Sequence, residues 1–412
     1  MKNKKIKNII YASLGGILEF YDFILFIFFL DIFIKIFFPP QDENFLKFSS
    51  YLLFGIAYLI RPLGAIFIGH FGDKIGRKKI FYISMLLMIL PNFIIAFLPS
   101  YENIGIIAPI ILFSMRILQG LAVGAEVSGS WIFVSEFVKG RQIPLALGFI
   151  SMTLTFGLLL GGLTVIVLKN TFNEEELELY AWRIPFVISA IFGFLALFLR
   201  KHLDETPIFE KIKKNNQILK FPLKQALKTH KTSMLICFLM SVVLTSGIAT
   251  LMILPKYFYK VLSLNEIEIL YIQNWAIFIL MIGSLMQGIL AKFYGSYKIC
   301  IIFSLIFMLS SLSFSLYNDY FILFYFITCF SQGIVTFAPV FMTQIFKSEL
   351  KFSGLSFAYN ISYAILSFTT PFIVDLFFDT YLKFYFIFVG CSAISCVLIL
   401  KYFLAKDARN IF

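Results

Sequence analysis

Apolar runs long enough to cross a lipid bilayer recur along all 412 residues of this chain, and that recurrence limits the fold more than any other feature. A membrane-spanning helix needs about 20 consecutive, mostly apolar residues. Hydropathy divides the chain into twelve such runs: 9–38, 48–68, 79–98, 104–134, 142–168, 183–201, 233–258, 270–292, 298–317, 320–346, 352–378 and 381–404. Charged residues make up only 14% of the chain, against roughly a quarter in soluble domains, so a soluble protein is excluded. The fold class is an all-α polytopic membrane protein of twelve transmembrane helices. The first run is too long for a signal h-region and lacks a small-residue cleavage pattern, so it is expected to be retained as a span.

The net charge of +12 could suggest a nucleic-acid binder, but its distribution says otherwise. Basic residues gather on alternate connections: Lys2, Lys4, Lys5 and Lys7, then "DKIGRKK", then Lys139 and Arg141, then a run from Arg200 to Lys231. Lys292 and Lys298, Lys347 and Lys351, and a tail with Lys401, Lys406 and Arg409 continue the set. The intervening loops, "PPQDEN", "SYEN", "NEEELELY", "SLNEIE" and "YND", are acidic or neutral. The positive-inside rule puts the basic loops and both termini in the cytoplasm of a bacterial-type inner membrane. The charge reports topology, with lipid rather than nucleic acid as the surrounding partner. The five cysteines (Cys237, Cys300, Cys329, Cys391, Cys396) lie in apolar segments without ligand spacing and read as small buried hydrophobes. No metal or cofactor site is expected. No nucleophile–base pair or phosphate loop suggests an enzyme.

The longest connection, 203–230, is polar and basic and divides six spans from six. The expected domains are 1–202, an N-terminal six-helix bundle, and 231–412, a C-terminal one, joined by that cytoplasmic loop. "GHFGDKIGRKK" (69–79) is echoed by "GILAKFYGSYK" (288–298), and "QGLAVG" (119–124) by "QGIVTF" (332–337). Two six-helix halves repeated in parallel suggest a carrier that rocks around a midplane site.

Ionisable residues inside the spans are few and lopsided. A charge at the bilayer centre costs about 2.5–3.5 kcal/mol on insertion scales, so such residues are expected to face a cavity or one another. The first half holds Glu19, Asp22 and Asp31 in span one, Arg61 in span two, and Arg116 and Glu126 in span four. Glu19 and Asp22, three apart, share a helix face, best turned toward a central cavity and the basic residues of spans two and four. Asp31 reads as a residue near the outer helix end, and Arg183, beside Trp182, as an interfacial one. The C-terminal half offers amides instead: Gln273, Asn274, Gln287, Gln332, Gln344 and Asn360. All three histidines (His70, His202, His230) fall in loops, so a proton relay within the membrane must use Asp or Glu. The alternative for Glu19, Asp22 and Glu126 is a structural ion-pair network holding the helices together.

"GHFGDKIGRKK" places Gly69, Gly72 and Gly76 around Asp73, Arg77 and Lys78. A basic inside loop accounts for the cations but not for an aspartate and three glycines in a tight turn. The chemistry points to a clamp: glycines allow close approach, Asp73 can accept from a helix N-terminus or a guanidinium, and Arg77 can pair with a carboxylate. The stretch resembles the loop 2–3 signature of the major facilitator superfamily. "LEFYDF" (18–23), "RPLGAIFIGHFGDKIGRKK" (61–79), "RILQGLAVGAEVSG" (116–129), "WRIPF" (182–186), "ETPIF" (205–209) and "GLSFAYN" (354–360) narrow the resemblance to its metabolite:proton symporters, the proline/betaine, citrate and α-ketoglutarate carriers. Ala125 stands where a second glycine is usual in the fourth-span pattern. The chain given ends within a few residues of span twelve, so the long coiled coil of some osmosensing members is not expected. The fifth span, "GLLLGGL" (157–163), lacks the Gly-Pro pair of proton-antiporting drug exporters.

The resemblance implies that the 69–79 loop latches a cytoplasmic gate. It also implies that Asp22 or Glu19 carries the coupling proton, with Arg116 and Glu126 as a possible relay. Arg61 is the expected contact for an anionic substrate, since its guanidinium matches a carboxylate in bidentate geometry; partnering Asp22 or helix packing is the alternative. Tyr359 and Asn360, carried over from the family's eleventh-span pattern, are expected wall contacts from the other half. The expected function is import of a small carboxylate-bearing metabolite by proton symport, organic acids first and zwitterions second, with a single chain sufficing. A larger citrate-type siderophore, export, or a non-transporting ligand receptor are the rival readings.

Overall fold

A computed structural model describes residues 2–40, 42–316, 320–367, 389–395 and 398. The described residues are helical and contain no strand. In chain order the helices are α1 (Lys2–Phe28), α2 (Leu30–Phe37), α3 (Glu43–Leu59), α4 (Arg61–Ile75), α5 (Arg77–Ala96) and α6 (Tyr101–Ile104). Then come α7 (Ile107–Phe137), α8 (Gln142–Thr171), α9 (Glu174–Glu176), α10 (Arg183–Arg200), α11 (Pro207–Lys214) and α12 (Pro222–Thr229). The rest are α13 (Lys231–Leu262), α14 (Glu266–Tyr294), α15 (Ser296–Leu316), α16 (Phe321–Ser331), α17 (Phe337–Met342) and α18 (residues 351–367).

Eight of these segments are long and apolar enough to cross a membrane, or nine if the bent α12–α13 pair counts as one. The difference from twelve has local causes. The tenth span is interrupted: α16 stops at Ser331, residues Gln332–Thr336 tighten into a 3₁₀ turn, and α17 resumes at Phe337. The end of the eleventh span and most of the twelfth, with Cys396 and the basic tail, lie outside the described residues. Within the 203–230 connection the chain forms α11 and α12. α12 meets α13 at 95°.

One break positions a charged residue of the first half. Span one passes from α1 to α2 at Phe29 with its ladder kept, the Phe29 N–H bonding the Leu25 carbonyl at 2.9 Å. Span two divides at Ile60 because Pro62, near the start of α4, has no N–H to continue the α3 ladder. Arg61 is therefore the first residue of a helix, deep in the span, where its side chain can leave the helix face. Close approach of α7 to this break depends on Gly64 and Gly124. A side chain at Gly64 would collide with the Leu121 carbonyl, and one at Gly124 with the Arg61 carbonyl. Small residues of this kind are what let membrane helices pack without a hydrophobic driving force.

Helices before and after the 203–230 segment touch directly. Asn360 Nδ2 donates to the Gly124 carbonyl at 2.6 Å, and the Ser128 and Ser356 hydroxyls lie 2.8 Å apart. The Trp131 and Tyr359 rings meet edge to face at 5.0 Å.

Candidate functional site

Glu19 and Asp22 of α1 line one small cavity with Tyr58, Arg61, Arg116 and Gln119. Its volume is about 40 Å³, room for a water or two. The two carboxylates have different partners. Glu19 Oε1 faces Arg61 Nη2 at 3.4 Å, while Glu19 Oε2 has no hydrogen-bond partner. Asp22 accepts from Ser189 Oγ at 2.5 Å and from Asn92 Nδ2, not from Arg61. The Arg61 guanidinium lies 4.7 Å from the Tyr58 ring centre and 5.3 Å from that of Tyr363. Arg116 donates to Gln119 Oε1 at 2.8 Å and rests 3.6 Å from the Phe26 ring centre.

Glu126 is not beside Arg116. It is wholly buried one layer away, paired with Arg200 and accepting from Ser84 Oγ at 2.6 Å. Arg200, which its sequence position assigned to the basic cytoplasmic run, is 1% exposed at the end of α10. It also donates to the Ala12 carbonyl at 2.8 Å and the Phe81 carbonyl at 3.1 Å. The available signal was that Arg200 closes an apolar helix, one turn before the polar run proper begins.

The 69–79 signature forms a third cluster, where α4 and α5 meet the start of α18. Only Gly76 makes the turn, with φ of +109°. Gly69 and Gly72 were expected in that turn but remain inside α4, where they let the Phe352–Ser353 backbone and the Phe352 ring come close. Asp73 accepts the backbone N–H groups of Phe352 at 3.3 Å and Ser353 at 2.8 Å. Arg77 lies 3.3 Å from Asp73 and 3.4 Å from Glu136, and donates to the Ser348 carbonyl of the other half at 3.1 Å. Lys78 contributes its backbone N–H, to Glu205 at 3.3 Å. Glu205 also accepts from the Arg77 N–H at 3.1 Å, capping α5, while Thr206 donates to Glu136 at 2.5 Å. Burial pushes the Glu205 carboxyl up from its usual value, against the pull of the N–H donors and of the Arg77 charge. The "ETPIF" stretch thus belongs to the clamp rather than merely following it.

Tyr359 and Asn360 do not line the cavity. Asn360 spends its amide N–H groups on the Gly124 and Ser356 carbonyls, and Tyr359 is packed between Trp131 and Tyr363. Tyr363, one turn further along α18 on the same face, presents its ring to Arg61, and Tyr359 also lies near that guanidinium. Of the other amides, Asn274, Gln287 and Gln344 donate to helix carbonyls. Cys237, Cys300 and Cys329 are buried as expected, but Cys391 is exposed.

Residues 12–324 match the family model of the Major Facilitator Superfamily. A glycine betaine/proline/ectoine/pipecolic acid transporter of Dickeya dadantii, OusA, is 32% identical over 389 residues, covering 88% of this chain and 76% of that one. A proline/betaine transporter of Salmonella typhimurium is 33% identical over 393 residues, with the same coverage of 88% and 76%. Among solved structures, the proton:xylose symporter XylE bound to 6-bromo-6-deoxy-D-glucose matches with a TM-score of 0.82 at 16% identity, over 98% of this chain and 96% of that chain. At that identity the match speaks for the fold.

Proposed function

The chain belongs to the major facilitator superfamily of membrane transporters, and on that premise we propose that it imports a small carboxylate-bearing zwitterion by proton symport. The observation that carries the reading is the make-up of the 40 Å³ cavity: two carboxylates, two guanidiniums and aromatic rings. A zwitterion leaves such a set neutral, whereas a citrate-type polyanion brings charges with no cations left to meet them. This reverses the order expected from sequence, where organic acids came first. The names of the two relatives, both transporters of proline or betaine, support the reversal.

In this reading the substrate carboxylate takes the Arg61 fork from Glu19. The substrate's cationic end then faces the released Glu19 and the Tyr58 and Tyr363 rings, an attraction of about 0.5–2 kcal/mol. Asp22 binds the coupling proton. The halves 1–202 and 231–412 rock about the cavity in a bacterial inner membrane with both termini in the cytoplasm. The Asp73–Arg77–Glu136 cluster holds the cytoplasmic side shut, so the state described here loads from outside. Transport inward requires Asp73 to release the start of α18.

The test is lumenal pH in proteoliposomes during external addition of proline, glycine betaine, citrate, α-ketoglutarate or shikimate. Acidification with proline or betaine, absent from empty liposomes, is the expected result. Acidification with citrate alone would overturn the zwitterion reading, and binding of proline without any proton movement would overturn symport.

A further inference from the structure

We propose that Asn92 and Gln119 are positioning residues: with Arg116 they form a one-way hydrogen-bond chain that aims a donor at Asp22 and so separates its task from that of Glu19. The inference rests on the symport reading above and assigns the coupling proton to one of its two carboxylates.

The chain runs through three helices, α7, α5 and α1, and α10 closes its far side. Arg116 Nη1 donates to Gln119 Oε1 at 2.8 Å, Gln119 Nε2 donates to Asn92 Oδ1 at 2.6 Å, and Asn92 Nδ2 donates to Asp22 Oδ2. Ser189 closes the far side, donating to Asp22 Oδ1 at 2.5 Å and lying 3.1 Å from Asn92 Nδ2. All five side chains are at most 9% exposed. Neither amide can turn over independently. A guanidinium only donates, so Gln119 must present its oxygen to Arg116 and its NH₂ to Asn92. Asn92 in turn must present its oxygen to Gln119 and its NH₂ to Asp22. Arg116 thus acts on Asp22 through two amides rather than by a direct ion pair.

Such a chain holds Asp22 ready as an anion without neutralising it. A donor aimed at a carboxylate favours the charged form, but neutral donors leave the negative charge available to a proton. The other ionisable groups around this cavity are Glu19 and Tyr21 on the same helix, Tyr58 of α3, Arg61 of α4 and Arg116 of α7, with the Glu126–Arg200 pair of α7 and α10 acting on Glu19 from one layer away; toward Asp22 itself, α5 and α10 turn the neutral donors Asn92 and Ser189. When Asp22 takes a proton at Oδ1, Ser189 rotates its hydroxyl away and accepts, and Asn92 keeps its bond to Oδ2. No amide needs to flip, so the change stays local. Glu19 has the opposite character: a direct cationic partner and one unpartnered oxygen. It is built to exchange partners when substrate arrives.

The experiment is infrared difference titration of the purified protein in lipid, following the carboxylic C=O band that Asp22→Asn removes. Its midpoint should move up by about one pH unit in Gln119→Leu and in Ser189→Ala, each of which withdraws a donor or frees Asn92 to turn. The half-point of proton-driven uptake of radiolabelled proline should move with it. Midpoints that stay in place in both variants would overturn the proposal, as would a titration in which Asp22→Asn removes no band. Moved midpoints without uptake of proline or betaine would uphold the chain and overturn only the substrate reading.

Discussion

Asp73 on α4 caps the N-terminus of α18 in the opposite half, its Oδ2 accepting the Ser353 backbone N–H at 2.8 Å. Four residues on, Arg77 is 3.3 Å from the same carboxylate and reaches back to the Ser348 carbonyl. One aspartate therefore ties a helix terminus and a guanidinium together across the contact of α4 and α5 with α18. Hydrogen bonds to a charged group contribute about 1.5–3 kcal/mol each.

Asp73→Asn keeps the shape but gives up the charge. The cytoplasmic side should open, shifting the closed-to-open ratio by about tenfold or more, since 1.4 kcal/mol is a factor of ten. Spin labels at the exposed Lys79 and Lys347 would report the change as a longer distance. An unchanged distance distribution would remove Asp73 from the latch.

Glu205 lies outside the spans, and burial in the closed latch raises its carboxyl above 4.5. The closed form therefore binds that proton more tightly than an opened one. Its contribution to closure is full below 4.5 and is lost as pH rises through the raised value. Acidifying the cytoplasmic side should favour closure, and Glu205→Gln should flatten this part of the response in the same spin-label distances. An unaltered pH response in that variant would place the effect elsewhere.

Arg200 and Glu126 form a buried pair in which neither side chain is exposed. Removing one partner leaves the other charged and unpaired, at a cost of about 3–5 kcal/mol. Arg200→Leu should lower the unfolding temperature in detergent by much more than the double variant Arg200→Leu/Glu126→Leu, which removes both charges. Equal losses in the two proteins would mean that packing, not charge, holds this site.

Arg61→Lys retains the charge but loses the planar fork and its stacking on Tyr58 and Tyr363. Substrate affinity should fall about 10- to 100-fold with little change in thermal stability. Isothermal titration with proline or betaine checks the first part. A variant that binds normally would return Arg61 to helix packing.

Gly64→Val should fail for a steric reason. Its side chain would collide with the Leu121 carbonyl, an element of backbone that cannot swing aside. Overpacking of this kind costs about 1–3 kcal/mol, and here it also separates α4 from α7, which frame the cavity. Reduced yield of folded protein, read by size-exclusion chromatography, is the expected outcome; a stable, active variant would show that α4 has room to move.

The sequence alone determined the helical membrane class, the family and the residues of the signature. Each of these depends on patterns along one dimension: the length of apolar runs, the alternation of charge between loops, and the order of residues within a motif. It also marked Glu19, Asp22, Arg61 and Arg116 as the costly charges, because any ionisable group in hydrocarbon must find a partner. Only the tertiary structure decided which partner each one has. Pairing follows from how the helices are rotated, and that is set by local breaks such as the one before Pro62 and by glycine contacts such as Gly124 against Arg61. Asn92, Ser189 and Tyr363 passed unnoticed because a lone polar residue in an apolar run carries no period or spacing to mark it. The meaning of Asn92 and Ser189 comes from side chains 97 or 167 positions away, brought within hydrogen-bond distance by packing.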